Sequence, residues 1–330
     1  MKRKFMLCIL ICFTLTCSCN KSSNNTTKSD VKSPNAVEFL SPYTGENVSK
    51  KSYCNYPFFV IVENSKASRP QSGLIDADIV FETMAEGGIP RFMALYHKNL
   101  SKQIGPVRSA RPYFLDIASQ FKLPFAHCGY SEEAKNLIEK NSLPTLNEFL
   151  YGSYYWRDKS RKNEHSLYTS SENLSKLIEE KKLISPVQSS LKFDKNYWTS
   201  STLNTAKKVH IKVNKYYNTS YTFKDNIYYK SMDSVECKDL DTQKKITTHN
   251  IVIQLTNIKL QKDKVHIDIQ LTGEGDCYIL SNGKFIKGKW IRKNSSSPTL
   301  VYDKDNKEIP LNLGNTWWHI LDKNTSLFIE

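Results

Sequence analysis

The hydrophobic pattern of this chain changes period part-way along, and that change limits the available folds more than any other feature. Up to about Ile184 the apolar residues suit strands interleaved with helices. Phe58-Phe59-Val60-Ile61-Val62 is a continuous run that reads as a strand covered on both faces. Residues 78–86 and 91–97 are apolar-rich and are joined by Gly87-Gly88-Ile89-Pro90, a hairpin signal. Pro112 stands where a helix takes its first proline, with Phe114, Leu115, Ile117, Ala118 and Phe121 following at helical spacing. Residues 123–128 read as a short strand, and Ser131-Glu132-Glu133 caps a helix carrying Ala134, Leu137 and Ile138. Residues 171–181 read as one more amphipathic helix.

From about Val209 the runs are short and alternating: 216–229, 250–255, 265–271, 276–280, 285–291, 299–302 and 316–320. Asn282-Gly283, the strongest hairpin dipeptide, and Asp303-Lys304-Asp305-Asn306 punctuate them. The expected organisation is a mixed α/β unit over 37–184, a Ser- and Lys-rich linker over 185–205, and a β-rich unit over 206–330.

The first residues read as an export signal. Lys2, Arg3 and Lys4 precede a short apolar stretch from Phe5 to Leu15, too short to span a bilayer. Residues 1–18 are expected to be a signal peptide. Cys19, preceded by Ser18 and followed by a polar run, fits a lipidated mature N-terminus; Thr16 stands where such sites usually carry leucine. Residues 19–36, rich in Lys, Ser, Asn and Thr, cannot bury enough apolar surface to offset chain entropy and are expected to be a disordered tether. Together these place a globular body on the extracytoplasmic face of the cell membrane, held there through a lipid anchor.

Formal net charge is +14, and it falls to +11 when Lys2, Arg3 and Lys4 are lost. A basic exported protein suits anionic surroundings such as a wall polymer or acidic glycan, while export argues against nucleic acid. Of the eight cysteines, only Cys54, Cys128, Cys237 and Cys277 lie beyond the signal region. They are far apart with no Cys-x-x-Cys spacing, which leaves two disulfides (Cys54–Cys128 and Cys237–Cys277) or free buried thiols.

Arginine concentrates in two packets, residues 69–111 and 156–165, in a chain that otherwise favours lysine. Arginine offers a rigid planar fork that grips carboxylate or phosphate at two points. Pro70-Gln71-Ser72-Gly73, Glu86-Gly87-Gly88-x-x-Arg91-Phe92, Gly105-Pro106-Val107-Arg108-Ser109-Ala110-Arg111, Trp156-Arg157-Asp158 and Gly288-x-Trp290 resemble the YerB-like lipoproteins (domain of unknown function 3048). The resemblance runs from Ser41-Pro42-Tyr43-Thr44-Gly45 to Gly314-Asn315-Thr316-Trp317. Departures are Glu63-Asn64 for Asp-Asn, Pro90 for Thr, and Glu164-His165 for Pro-His, none of which removes a polar group from the arginine cluster. The resemblance implies an exported lipoprotein of α+β fold, its β-rich C-terminal part packed against the N-terminal one, and implies no reaction.

Arg69, Gln71, Glu82, Arg91, Arg108, Ser109, Arg111, Arg157, Arg161 and His165 are the ligand-binding candidates. Their arginines outnumber Glu82, Glu86 and Asp158, so forks are expected to be free for an anionic ligand. The alternative is that Glu82 and Glu86 pair with those arginines inside the fold. Ser109 is expected to cap the helix after Pro112. The rival function is a hydrolase of envelope phosphoester or glycosidic bonds, with Glu86 and His127 as acid–base pair. There is no His-x-x-x-His, Gly-x-Ser-x-Gly, Walker loop or Gly-x-Gly-x-x-Gly, and neither metal nor cofactor is expected.

Overall fold

A computed structural model describes residues 38–330 as one compact unit. The expected signal peptide, Cys19 and the expected tether fall outside the described residues.

The N-terminal segment supplies β1 (Phe58–Val62), β2 (Ile79–Met84), β3 (Pro90–Tyr96), α1 (Pro112–Phe121), β4 (Phe125–His127), α2 (Glu132–Asn141), β5 (Thr145–Asn147) and α3 (Ser171–Glu180). The C-terminal segment supplies β6 (Lys208–Lys212), β7 (Asn218–Lys224), β8 (Ile227–Met232), β9 (Asn250–Thr256), β10 (Gly273–Ser281), β11 (Lys284–Arg292), β12 (Thr316–Asp322) and β13 (Ser326–Ile329). The fold is α+β, with few helices and many strands, as the sequence and the family resemblance led us to expect.

Local signals act where the residues place them. β1 is buried at all five positions. Glu86–Gly88 forms the turn between the antiparallel β2 and β3. Pro112 opens α1 and the Ser131 hydroxyl accepts from the backbone N–H of Ala134 at the start of α2. The β10–β11 hairpin turns at Asn282 and Gly283, with φ of 48° and 68°, the left-handed pair that a two-residue turn requires. The 216–229 run is not one strand. Asp225 and Asn226 take φ of 53° and 63° and turn β7 back into β8, a hairpin with no glycine to announce it.

An eleven-stranded sheet runs through both segments, with its main path Asn204–Thr205, β11, β10, β9, β12, β2, β3, β1, β4, β5. The join is β12, which lies parallel to β2 on one side and to β9 on the other. One face of this sheet packs on α1 and α2 through Phe59, Phe81, Met93, Phe114 and Trp318. The opposite face packs, through Val60, Phe92, Trp317 and Ile253, against α3 and a six-stranded sheet containing β6, β7, β8 and β13. Burying each such side chain stabilises by about 1.5–3 kcal/mol. Residues 185–205 run between the segments, with Trp198 fully buried and its indole N–H donating to the Pro310 carbonyl.

All four described cysteines are free, which is the second of the two possibilities their spacing left open. One smaller expectation is corrected. Arg111, with extended backbone, is the residue that precedes α1, and no side chain caps that end; Ser109 lies two residues too early to serve.

Candidate functional site

At the C-terminal ends of β1 and β4 the chain leaves the sheet, and residues 104–110 thread between neighbours as extended backbone. The Arg108 N–H donates to Ile61, Val107 to Leu167, and Cys128 to Arg108. Gly105 makes this path possible: a Cβ there would stand 2.8 Å from the Leu167 carbonyl oxygen and from the Tyr168 ring. The threading carries Arg108 beside Glu63, the first residue after β1, and beside His165 from the second arginine packet.

Glu63 is 6% exposed and organises this group. Its Oε1 lies 2.9 Å from Arg108 Nη2 and accepts from the Ser65 hydroxyl at 2.7 Å, and its Oε2 lies 2.9 Å from His165 Nδ1. Burial opposes its charge, but the hydrogen bonds from Arg108, His165 and Ser65 outweigh burial and hold the carboxyl below its usual value. Beside the group is a concavity of about 550 Å³ lined by Val107, Arg108, Cys128, Arg157, Asn163, Glu164 and Leu167. Arg157 is exposed, and its Nη1 donates to the Asn163 carbonyl at 2.9 Å and lies 3.4 Å from the Ser166 hydroxyl. Among the described residues no carboxylate comes within ion-pair distance of it. Cys128 is no nucleophile here: burial and the nearby Glu148 push its thiol up to about 11.

Glu86, Arg91 and Arg111 form an adjoining group. Glu86 Oε1 lies 2.5 Å from Arg111 Nε, and Oε2 lies 3.6 Å from Arg91 Nη2. Arg91 also donates to the Ser109 carbonyl at 3.1 Å, so the backbone of Ser109, rather than its hydroxyl, holds the arginine. Burial pushes Arg91 below the usual guanidinium value; Tyr113 and Glu86 oppose the shift, and the charges of Arg111 and Arg108 add to it. The arginines of 91–111 therefore share one electrostatic neighbourhood, with Glu86 paired inside it.

Other expected members lie elsewhere. Arg69 donates to Asn64 at 3.0 Å and pairs with Asp233 at 2.7 Å, fastening the N-terminal loop to the turn after β8. Buried Gln71 donates to the Glu63 carbonyl and to Asn64 Oδ1 at 2.9 and 3.1 Å. Arg161 is spent on the carbonyls of Ser68 and Pro70 at 2.8 and 2.6 Å. These three hold the loop that carries the site.

Glu82 does not join Arg91. In the β2–β3 register Glu82 pairs with Phe92 and Thr83 with Arg91, so the pleat sends Glu82 and Arg91 to opposite faces. Glu82 is sealed beneath the second sheet, 2.9 Å from Lys230 Nζ and 2.7 Å from Trp317 Nε1. Lys230 donates to the Tyr221 hydroxyl at 3.1 Å, and that hydroxyl lies 2.8 Å from His319 Nε2. Burial drives His319 down to about 3, so it is neutral in this network.

His127 is fully buried and its basicity is driven down to about 4 by burial, with the Gly129 hydrogen bond opposing. Nδ1 lies 2.7 Å from the Gly129 carbonyl, which can only accept, so Nδ1 carries the proton. Nε2 then accepts from the Thr145 hydroxyl, which leaves no lone pair for a substrate. The partners missed in the sequence are Glu63, Ser65 and Lys230. Only Glu63 carries a local signal, as an acid directly after a fully apolar strand.

The chain matches "Protein of unknown function (DUF3048) N-terminal domain" over residues 43–184 and the DUF3048 C-terminal domain over residues 208–318, and it belongs to that family. It is 31% identical to the protein of Bacillus subtilis (strain 168) named "Putative lipoprotein YerB", over 97% of this chain and 96% of that one. The fold is similar to the crystal structure of the YerB protein from Bacillus subtilis, with a TM-score of 0.79 and 29% identity over 88% of this chain and all of that one.

Proposed function

We propose that this protein is a membrane-anchored lipoprotein of the cell envelope that binds an anionic ligand, a phosphate-bearing wall polymer or acidic glycan, in the cleft beside Arg108 and Arg157. Anchoring rests on the sequence around Cys19 and on the lipoprotein name of the relative; among the described residues no helix is long and apolar enough to cross a membrane. The single observation that carries the binding reading is Arg157. Among the described residues its guanidinium, exposed at a concave wall, is paired with no carboxylate, while Arg108 engages its own carboxylate through Nη2 alone. A charged, directional donor left open beside a cavity favours an anion.

Binding is preferred over hydrolysis on chemical grounds. An acid–base mechanism needs an available lone pair within reach of substrate, and His127 has both ring nitrogens engaged inside the fold. Glu86 is committed to Arg111.

The test is titration of the full-length protein in detergent with polyglycerol phosphate and with inorganic phosphate. Arg157→Ala is expected to weaken binding roughly tenfold, the effect of one charge-assisted hydrogen bond of about 1.5 kcal/mol. Arg108→Ala is the poorer probe, because it strands the buried Glu63. Unchanged affinity in Arg157→Ala would rule out the cleft as the binding site, and phosphoester turnover by the wild type would revive the hydrolase.

A further inference from the structure

A second concavity, about 250 Å³, opens on the helix-covered face of the long sheet. Strand pairing sets its floor. Trp318 on β12 is in register with Phe81 on β2, and Gln254 on β9 with Ile320 on β12, so these side chains share one face. Gln120 and Phe121 from α1 form a wall, and residues 188–191 and 296–299 border the opening. Both borders are fastened. Leu311 N–H donates to Lys192, and the Gln120 amide oxygen accepts from the Thr299 N–H and hydroxyl. Buried Arg292 holds Ser297 through its carbonyl and Asp116 of α1 through a 2.9 Å ion pair.

Gln254 gives this cavity a direction. It is 2% exposed, and its Oε1 lies 2.9 Å from Trp318 Nε1. An indole N–H only donates, so the amide oxygen is fixed toward Trp318. The amide nitrogen, at a residue lining the cavity, is buried and has no hydrogen-bond partner. Native folds rarely leave such a donor unmet, so this amide favours a cavity occupant that offers it an acceptor oxygen. The lining otherwise mixes aromatic and aliphatic groups (Phe121, Leu191, Pro298, Ile320) with amides and hydroxyls, and Lys122 is its sole ionisable member.

We propose that this cavity binds one neutral sugar ring. Such a ring has an apolar C–H face for the half-buried Phe121 and Leu191, and hydroxyl oxygens that accept from the Gln254 amide while their protons meet the serine and amide border. A carboxylate or phosphate would find a single lysine and no guanidinium. The size, just under the roughly 300–1,000 Å³ of drug-sized sites, suits one ring and not a chain segment. This site is separate from the arginine cleft.

The full-length protein in detergent is titrated with N-acetylglucosamine, glucose, glucuronate and chitotriose, followed by calorimetry and tryptophan fluorescence. Saturable binding of a neutral monosaccharide is expected, with chitotriose held no tighter than its single ring. The fluorescence change should vanish in Trp318→Phe. Gln254→Met should weaken binding about tenfold, the loss expected for one hydrogen bond. Because that change also strands the Trp318 N–H, Ser190→Trp provides the control. It sits on the exposed border, should leave the melting temperature unchanged, and should abolish binding by filling the opening. Inorganic phosphate should not compete, which separates this site from the arginine cleft. No saturable binding of any neutral sugar, a preference for glucuronate, competition by phosphate, or full binding in a folded Ser190→Trp would each overturn the proposal and leave a cavity that holds only water.

Discussion

Two carboxylates, Glu82 and Glu63, are both buried and both paired with a cation, yet they belong to different kinds of place. Glu82 lies between two sheets, enclosed by Lys230, Trp317 and Tyr221 and only 1% exposed. Glu63 lies where strands end, and its partner Arg108 keeps 28% of its side chain in contact with solvent beside a concavity. A sealed pair can only hold the fold together. A pair with one open side can hold the fold and still present charge to a ligand. In sequence the two glutamates look alike; their access to water separates them.

The largest expected effect falls on the sealed pair. Lys230→Met strands the Glu82 carboxylate and is expected to lower unfolding free energy by about 3–5 kcal/mol, measured by urea denaturation. The double variant Glu82→Gln/Lys230→Met should cost less than the two single changes added together, since neither partner is then left charged and alone. A loss under about 1 kcal/mol in Lys230→Met would show that water reaches Glu82 and would break the comparison.

Glu63→Gln is expected to cost less, about 1–3 kcal/mol, because Arg108 can turn to solvent once its partner is gone. The Glu63 carboxyl titrates lower in the folded protein than in the unfolded chain. Its contribution is therefore present above the unfolded value of about 4.3 and is lost as pH falls through the lower folded value. Denaturation from pH 7 down to 3 should show a smaller acid-side loss in Glu63→Gln than in wild type. Parallel curves would mean that Glu63 is not the group holding this corner.

Arg157→Ala should have the smallest effect on stability, within about 0.5 kcal/mol, since the side chain is exposed and bound only to a carbonyl and a hydroxyl. Its effect should appear in binding alone. A variant that lost both stability and binding would put Arg157 in the same category as Arg69 and Arg161, whose guanidinium groups tie loops together.

Much of the fold was legible wherever a local signal acts within a few residues. The buried run 58–62, the Gly87-Gly88 turn, Pro112, the Ser131 cap and the Asn282-Gly283 hairpin each depend on backbone preference or short-range hydrogen bonding. The Asp225-Asn226 turn was hidden because its left-handed residues are not glycine. The site was legible in part. Arg108 and Arg157 do line one cleft, His165 joins Arg108 through Glu63, and Glu86 does pair with the arginines, but Glu82 belongs to the other face.

What the sequence determined by itself was the helices and most of the strands between Phe58 and Ile320, the arginine packets and the family, because each is written in neighbouring residues or in motifs of fixed spacing; the strands at 145–147, 208–212 and 326–329 carried no such signal. Only the tertiary structure decided which charges became partners. Lys230 and Trp317 reach Glu82 from 148 and 235 residues away, and Glu63 meets His165 across 102. Those pairings follow from the register of β12 against β2, from the two-residue period of the pleat, and from the passage of residues 104–110 past Gly105. Whether a buried carboxylate is sealed or open depends on what packs over it, and no stretch of neighbouring residues contains that information.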